Sequence, residues 1–307
     1  MKHPHIPVLL DQTVAILNPS AGQSYLDGTA GYGGHAAEII QRLTPADRVI
    51  LIDRDPDAVA ALAERFGKRV EIITESFFDA AKRLADEETQ VDIILLDLGV
   101  SSPQFDNAER GFSFKADAPL DMRMDQVQRL SAHTVVNKYR QDQLERIIRD
   151  YGEEPKARAV ARAIVAARPI ESTTQLARVV RTAALQPKDI DSATKTFQAI
   201  RIEVNGELQQ LEEALPILSS ILAPSGRIAV ISFHSLEDRI VKEYFNSEAR
   251  DCLCPPKQPI CTCNHTATLR KLLTKPVTAT AEQLSTNPRA RSAKLRAAEK
   301  INKNKRR

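Results

Sequence analysis

Apolar residues in the first hundred positions gather into four short runs, at residues 24–27, 49–53, 70–74 and 91–97. Between them, residues 35–43, 56–66 and 78–86 carry apolar side chains three or four positions apart, the spacing of a helix with one buried face. The runs are apolar on consecutive positions, which predicts strands covered on both faces and a parallel sheet built from strand–helix–strand units. The same signature returns at residues 226–233, after a helix predicted to end near residue 222 and a turn at Pro224-Ser225-Gly226. Residues 106–205 break the pattern. They show no strand but have helical periodicity at 143–151, 156–167, 174–184 and 192–204, punctuated by Gly152, Pro155, Pro169 and Pro187. The prediction is an α/β domain of residues 1–105 and 206–307 with a mostly parallel, Rossmann-like sheet, interrupted by an inserted all-α domain over 106–205.

Composition adds limits. A chain of 307 residues, 42% of them hydrophobic, can bury a substantial core. No run reaches membrane-spanning length, and the apolar stretch at residues 6–10 is too short for a signal-peptide core, so the chain is expected in the cytoplasm, away from membranes. The net charge of +3 excludes nothing. Its distribution is uneven: residues 289–307 hold nine Lys/Arg against the single acid Glu299, which suits a phosphate backbone and equally a solvated, frayed tail. All four cysteines fall in Cys252-Leu253-Cys254 and Cys261-Thr262-Cys263. A reducing compartment disfavours disulfides, but one residue between partners departs from the usual zinc-ligand spacing of two to four. Reduced thiols in a mobile loop and a metal site both stay open, and no metal is assigned.

Candidate chemistry collects at the ends of the predicted strands. Asp27-Gly28-Thr29-Ala30-Gly31-Tyr32-Gly33-Gly34-His35 follows the first strand and opens a helix, where glycines let the backbone approach a ligand. Asp53 ends the second strand, where a carboxylate can accept both hydroxyls of a ribose or, alternatively, cap the helix begun by Pro56. Phe77 follows the third strand, either beside an adenine or in the core. Asp97 ends the fourth and leads into Leu98-Gly99-Val100-Ser101-Ser102-Pro103-Gln104. Gly31-x-Gly33-x-x-Ala36 also fits a dinucleotide fingerprint, so a nicotinamide-dependent oxidoreductase is the enzyme alternative. Against it, Asp27 would face a pyrophosphate, whereas it could hold the amino group of a methionine moiety. A methyl donor is therefore favoured. A non-catalytic RNA-binding assembly factor is the third class, supported only by the basic end.

Together these residues closely resemble the bacterial 16S rRNA (cytosine-N4)-methyltransferases of the MraW type. The matching segments begin with Pro7-Val-Leu-Leu10, Asp27-Gly-Thr-x-Gly-x-Gly-Gly-His35, Asp53-Arg-Asp-Pro56, Leu95-Leu-Asp-Leu-Gly-Val-Ser-Ser-Pro-Gln104 and Glu109-Arg-Gly-Phe-Ser-Phe114. They continue with Pro119-Leu-Asp-Met-Arg-Met-Asp125, Thr196-Phe-Gln-Ala-x-Arg-Ile-x-Val-Asn205, Ser232-Phe-His-Ser-Leu-Glu-Asp-Arg239 and Asn287-Pro-Arg-Ala-Arg-Ser292. The resemblance implies a class I methyltransferase that uses S-adenosylmethionine to methylate N4 of a cytidine in the decoding centre of small-subunit rRNA. It implies that Gly33, Gly34 and His35 sit against the donor's amino-acid part, that Asp53 binds its ribose, that Phe77 lies beside adenine, and that Asp97 and Gln104 complete the pocket. The partner it implies is 16S rRNA or the small ribosomal subunit. A homodimer is compatible with the sequence.

The lone pair of a cytosine amine is delocalised into the ring, so an enzyme must hold the amine close to the methyl and accept hydrogen bonds from its N–H groups. Ser101, Ser102 and their flanking carbonyls are the expected acceptors, with Asp97 beside them, because Ser-Ser-Pro resembles the Ser-Pro-Pro loop of DNA amino-methyltransferases. Gln104 stands where that loop usually has an aromatic, so stacking on the base is expected from Phe105 or Phe112. Arg123 is a candidate for the RNA backbone or an ion-paired surface residue, and Arg158, Arg162 and Arg168 are candidates to grip RNA around a base drawn from its stack. His234 is expected to be structural.

Overall fold

A computed structural model describes residues 7–184, 191–255, 258 and 260–302, without the side chain of Ser102. The chain divides into two compact units, one formed by Met1–Gly99 with Gln209–Arg307 and the other by Val100–Leu208. In order, the elements begin with α1 (Leu10–Leu17), β1 (Tyr25–Asp27), α2 (Gly34–Ile40), β2 (Val49–Ile52), α3 (Pro56–Phe66), β3 (Glu71–Ile73), α4 (Phe77–Asp86) and β4 (Val91–Asp97). A helical stretch follows: α5 (Ser102–Asp106), α6 (Ala132–Lys138), α7 (Gln141–Asp150), α8 (Ala157–Ala166), α9 (Thr173–Ala184) and α10 (Ser192–Asn205). The chain ends with α11 (Glu207–Ile221), β5 (Leu222–Ser232), α12 (Ser235–Glu248), β6 (Leu269–Lys271), α13 (Ala281–Thr286) and β7 (Lys294–Lys300).

The sheet of the first unit has the order β3-β2-β1-β4-β5-β7-β6. Strands β1 to β5 run parallel, and β7 is antiparallel to both β5 and β6. This is a Rossmann-like, mostly parallel sheet. The continuous apolar runs have the cause expected of them, since successive side chains enter opposite cores. Leu26, Ile50, Ile94, Leu96 and Val230 pack with Leu84 of α4, Leu215 and Leu218 of α11 and Phe245 of α12. Tyr25, Leu51, Ile93, Leu95 and Ile231 pack on the other face with Leu17 of α1, Ile39 of α2 and Leu62 of α3. Each fully buried leucine or isoleucine contributes about 2 kcal/mol.

Two expectations about this unit are corrected. The predicted turn at Pro224-Ser225-Gly226 lies inside β5, which begins at Leu222. Its pairing with β4 shifts register there, from Val91 opposite Leu222 to Ile93 opposite Arg227, so the turn residues form an irregularity within the strand. The described part of the basic end is not a frayed tail. Residues 294–300 form β7, in which Lys294 and Arg296 bond Asp238 of α12 at 3.0 and 2.6 Å, and Lys300 bonds the carbonyl of Ser219 at 2.6 Å. Lys303, Lys305, Arg306 and Arg307 lie outside the described residues.

The second unit has a core of its own: Leu144, Ile147 and Ile148 of α7, Val160 and Ile164 of α8, Leu176 and Val180 of α9, and Phe197 and Ile200 of α10. Among the described residues between 106 and 205 the only strand-like pairing is an isolated bridge between Pro119 and Ser172. Asn205, at the end of α10, clamps the preceding loop. Its Oδ1 accepts from the backbone N–H of Met124 at 2.9 Å, and its Nδ2 donates to the carbonyl of Met122 at 2.8 Å. No helix among the described residues is long and apolar enough to cross a membrane.

Candidate active site

Strand order reverses between β1 and β4, and in open α/β sheets ligands bind outside the carboxyl ends of the strands at such a switch point. Asp27 and Asp97 end those two strands. Asp27 is 2% exposed, and each of its oxygens has a partner, accepting from the Tyr25 hydroxyl at 2.7 Å and the Thr29 N–H at 3.2 Å. Burial pushes its carboxyl up to about 7, against the pull of those two hydrogen bonds. Thr29 also ties the strands together, accepting from the N–H of Asp97 at 2.5 Å. Thr29 is marked in the sequence only as part of the glycine-rich segment, and Tyr25 only as part of the first strand. The signal for Tyr25 is its spacing of two from Asp27, which puts both side chains on one face of a strand.

Asp97 differs from Asp27. Its Oδ2 lies 3.5 Å from Nδ1 of His35, while its Oδ1 is sealed from solvent and accepts no hydrogen bond. Burial raises its carboxyl well above the usual range, with the charges of Asp27 and Glu237 adding to the effect. His35, 5% exposed, places its Nε2 3.1 Å from the carbonyl of Val8. A carbonyl only accepts, so Nε2 carries a proton. A neutral ring would then turn the Nδ1 lone pair toward the carboxylate, so the pair closes only with a proton between Nδ1 and Oδ2. His35 thus holds Asp97 through its ring and is itself held by Val8.

The glycine-rich turn is stitched to the end of β2. Asp53 accepts from the N–H of Gly31 at 2.8 Å and from the N–H of Asp55 at 2.9 Å. Burial raises the Asp53 carboxyl, while these backbone bonds pull it down. The alternative role of Asp53 as a helix cap is corrected, because α3 is capped by Asp55, whose side chain accepts from the N–H of Asp57. A carboxylate has about four acceptor positions, so each Asp53 oxygen keeps one for a further donor. Gly33 has φ +75°, and a Cβ there would lie 2.5 Å from the Phe66 ring. A Cβ at Gly34 would lie 2.5 Å from Pro7. A side chain at either position would require Phe66 or Pro7 to shift. Phe77 opens α4 behind the N-cap Ser76 and packs half-buried at the edge of the core.

Ser101, Ser102 and Gln104 belong to the second unit. Ser101 precedes α5, and the side-chain oxygen of Gln104 accepts from its N–H at 2.9 Å, half of a capping box. Ser102 opens that helix, and its side chain is not among those described. Phe112, expected to stack on a base, is 6% exposed in the helical core, its ring edge-on to Phe105 at 6.4 Å. Arg123 is a brace. It bonds Asp121 at 2.7 and 2.9 Å and the carbonyls of Gln126 and Gln128 at 2.9 and 3.0 Å, which engages all three guanidinium nitrogens. Arg168 likewise donates to the carbonyls of Val136 and Tyr139 at 2.8 and 2.6 Å. Arg158 and Arg162 on α8 are exposed. His234 caps α12, its Nδ1 accepting from the N–H of Glu237 at 3.4 Å.

The sequence pattern of the MraW methylase family matches residues 2–301. Several similar proteins carry the name Ribosomal RNA small subunit methyltransferase H. That of Heliobacterium modesticaldum is 48% identical, over 97% of this chain and 98% of its own length. That of Heliobacterium mobile is 45% identical, over 98% of this chain and all of its own. That of Geobacter sp. (strain M21) is 48% identical, over 97% of this chain and 98% of its own.

Proposed function

Because the chain belongs to the MraW methylase family, and so uses S-adenosylmethionine as its methyl donor, we propose that it methylates N4 of a cytidine in the decoding centre of small-subunit rRNA. The donor supplies an electrophilic methyl on a cationic sulfur. The observation that carries the reading is Asp97, an acid at the switch point whose side chain stays 25% exposed, suited to a ligand that brings positive charge and N–H donors. Asp53 keeps acceptor capacity for ribose hydroxyls, and the half-buried Phe77 ring offers an apolar flank for adenine. Gly33 and Gly34 form the turn that carries the donor's amino-acid part. His35 acts there by orienting Asp97, and Gln104 by fixing the start of α5. The relatives' shared name supplies the substrate class, and N4 of cytidine follows from the motif resemblance.

On the acceptor side, Ser101, Ser102 and the carbonyls beside them accept the amine's N–H groups so that the nitrogen lone pair localises toward the methyl. One N4 proton leaves to solvent, and no residue is assigned as general base. The helical unit contributes RNA contacts through the exposed Arg158 and Arg162. The decisive assay incubates the protein with labelled S-adenosylmethionine and undermethylated small subunits, then identifies the labelled nucleoside by mass. Label in N4-methylcytidine, lost in Asp97→Ala, supports the reading. Label in any other nucleoside, or none in ribosomal RNA, overturns it.

A further inference from the structure

The loop between α12 and β6 carries all four cysteines of the chain, and their sulfurs converge to within 4.8 Å of one another. Cys252 and Cys261 are 3.5 Å apart, Cys261 and Cys263 3.6 Å, and Cys263 and Cys252 3.8 Å. These separations are far from the disulfide length of about 2.05 Å. They match a tetrahedral thiolate site, in which zinc–sulfur bonds of about 2.3 Å set neighbouring sulfurs about 3.8 Å apart. The one-residue spacing, atypical on paper, works because neither pair is helical. Each Cys-x-Cys presents both of its sulfurs to the other pair, all four lying within 4.8 Å of one another.

Three backbone N–H groups point at the sulfurs: Leu253 to Cys263 at 3.3 Å, Cys254 to Cys252 at 3.4 Å and Thr262 to Cys254 at 3.4 Å. N–H donors of this kind disperse thiolate charge, the role of outer-shell partners in metal sites. Hydrophobic packing does not explain the convergence, since Leu253 and Ile260 of the same loop are 45% and 74% exposed. His265 stands outside this group of converging ligand atoms, and its Nε2 lies 3.2 Å from the carbonyl of Ser247. The base of the loop is pinned separately, by Thr268 donating to the Glu248 carbonyl at 2.9 Å and Ala267 to Asp251 at 3.1 Å.

We propose that Cys252, Cys254, Cys261 and Cys263 form a structural tetrathiolate zinc site that cross-links the loop between α12 and β6. Four soft, charged donors in tetrahedral array select a closed-shell divalent ion without demanding redox chemistry. Binding displaces the thiol protons to solvent and fixes a loop that has no apolar core of its own. The site is independent of methyl transfer.

The test measures metal in the full chain purified under reducing conditions from zinc-replete cells. About one zinc per chain is expected, falling to less than about a tenth in Cys261→Ser/Cys263→Ser, while S-adenosylmethionine binding by calorimetry stays unchanged and shows the variant folded. Cobalt added to metal-stripped wild type should give the intense visible bands of tetrahedral thiolate coordination, a readout that needs no variant. A metal-free chain that gives no such bands overturns the proposal. So does iron in place of zinc, or a disulfide between any two of these cysteines in the freshly isolated protein.

Discussion

Asp27 keeps its proton near neutrality because both of its oxygens are buried, and Tyr25 and Thr29 are too weak a counterweight to restore an ordinary carboxyl. The sign of the consequence is fixed by linkage. An unfolded Asp ionises near pH 4, so between about 4 and 7 the folded chain binds the extra proton and stability falls as pH rises. Below that window the contribution is fully present, and above it the loss is complete. Urea melts of wild type and Asp27→Asn across this range should diverge by up to about 4 kcal/mol, with wild type losing ground toward neutral pH. Parallel curves would place the proton elsewhere. Asp97→Asn keeps the shape of the side chain and removes its charge, so donor affinity should fall about tenfold to a hundredfold by calorimetry. Equal affinity would remove Asp97 from the donor site.

At the scale of elements, the glycine turn and the strand ends divide the work. Gly33→Ala must adopt a left-handed backbone and meet the Phe66 ring, so it should cost about 1–3 kcal/mol in chemical denaturation. An unshifted midpoint would mean the ring swings aside freely. Arg123→Ala should lower the unfolding midpoint through the loop of residues 121–128 rather than weaken RNA binding selectively. Retained stability with lost RNA affinity would return Arg123 to the nucleic-acid role. Strands β1, β2, β4 and β5 were legible because strands covered on both faces leave apolar runs. Strand β7 was not, because its lysines and arginine spoke as a basic end until Asp238 on a different element balanced them. The Asp97–His35–Val8 chain was hidden for a related reason: motif spacing marked His35 and Asp97 separately, and only the fold brings their rings and oxygens together.

At the scale of the whole molecule, the helical unit is one uninterrupted segment with its own buried core, whereas the sheet unit needs both flanking segments. Residues 100–208 expressed alone should therefore be helical by circular dichroism and unfold cooperatively with denaturant. A featureless melt would show that this core depends on the rest of the chain. The sheet has a different dependence, which follows from its order. Strand β7 is the last in sequence but stands between β5 and β6. During synthesis, β5 and β6 leave the ribosome with no partner between them, and the gap closes only when residues 294–300 emerge. Until that moment the sheet stays open between these two strands, so residues 294–300 decide when it becomes whole.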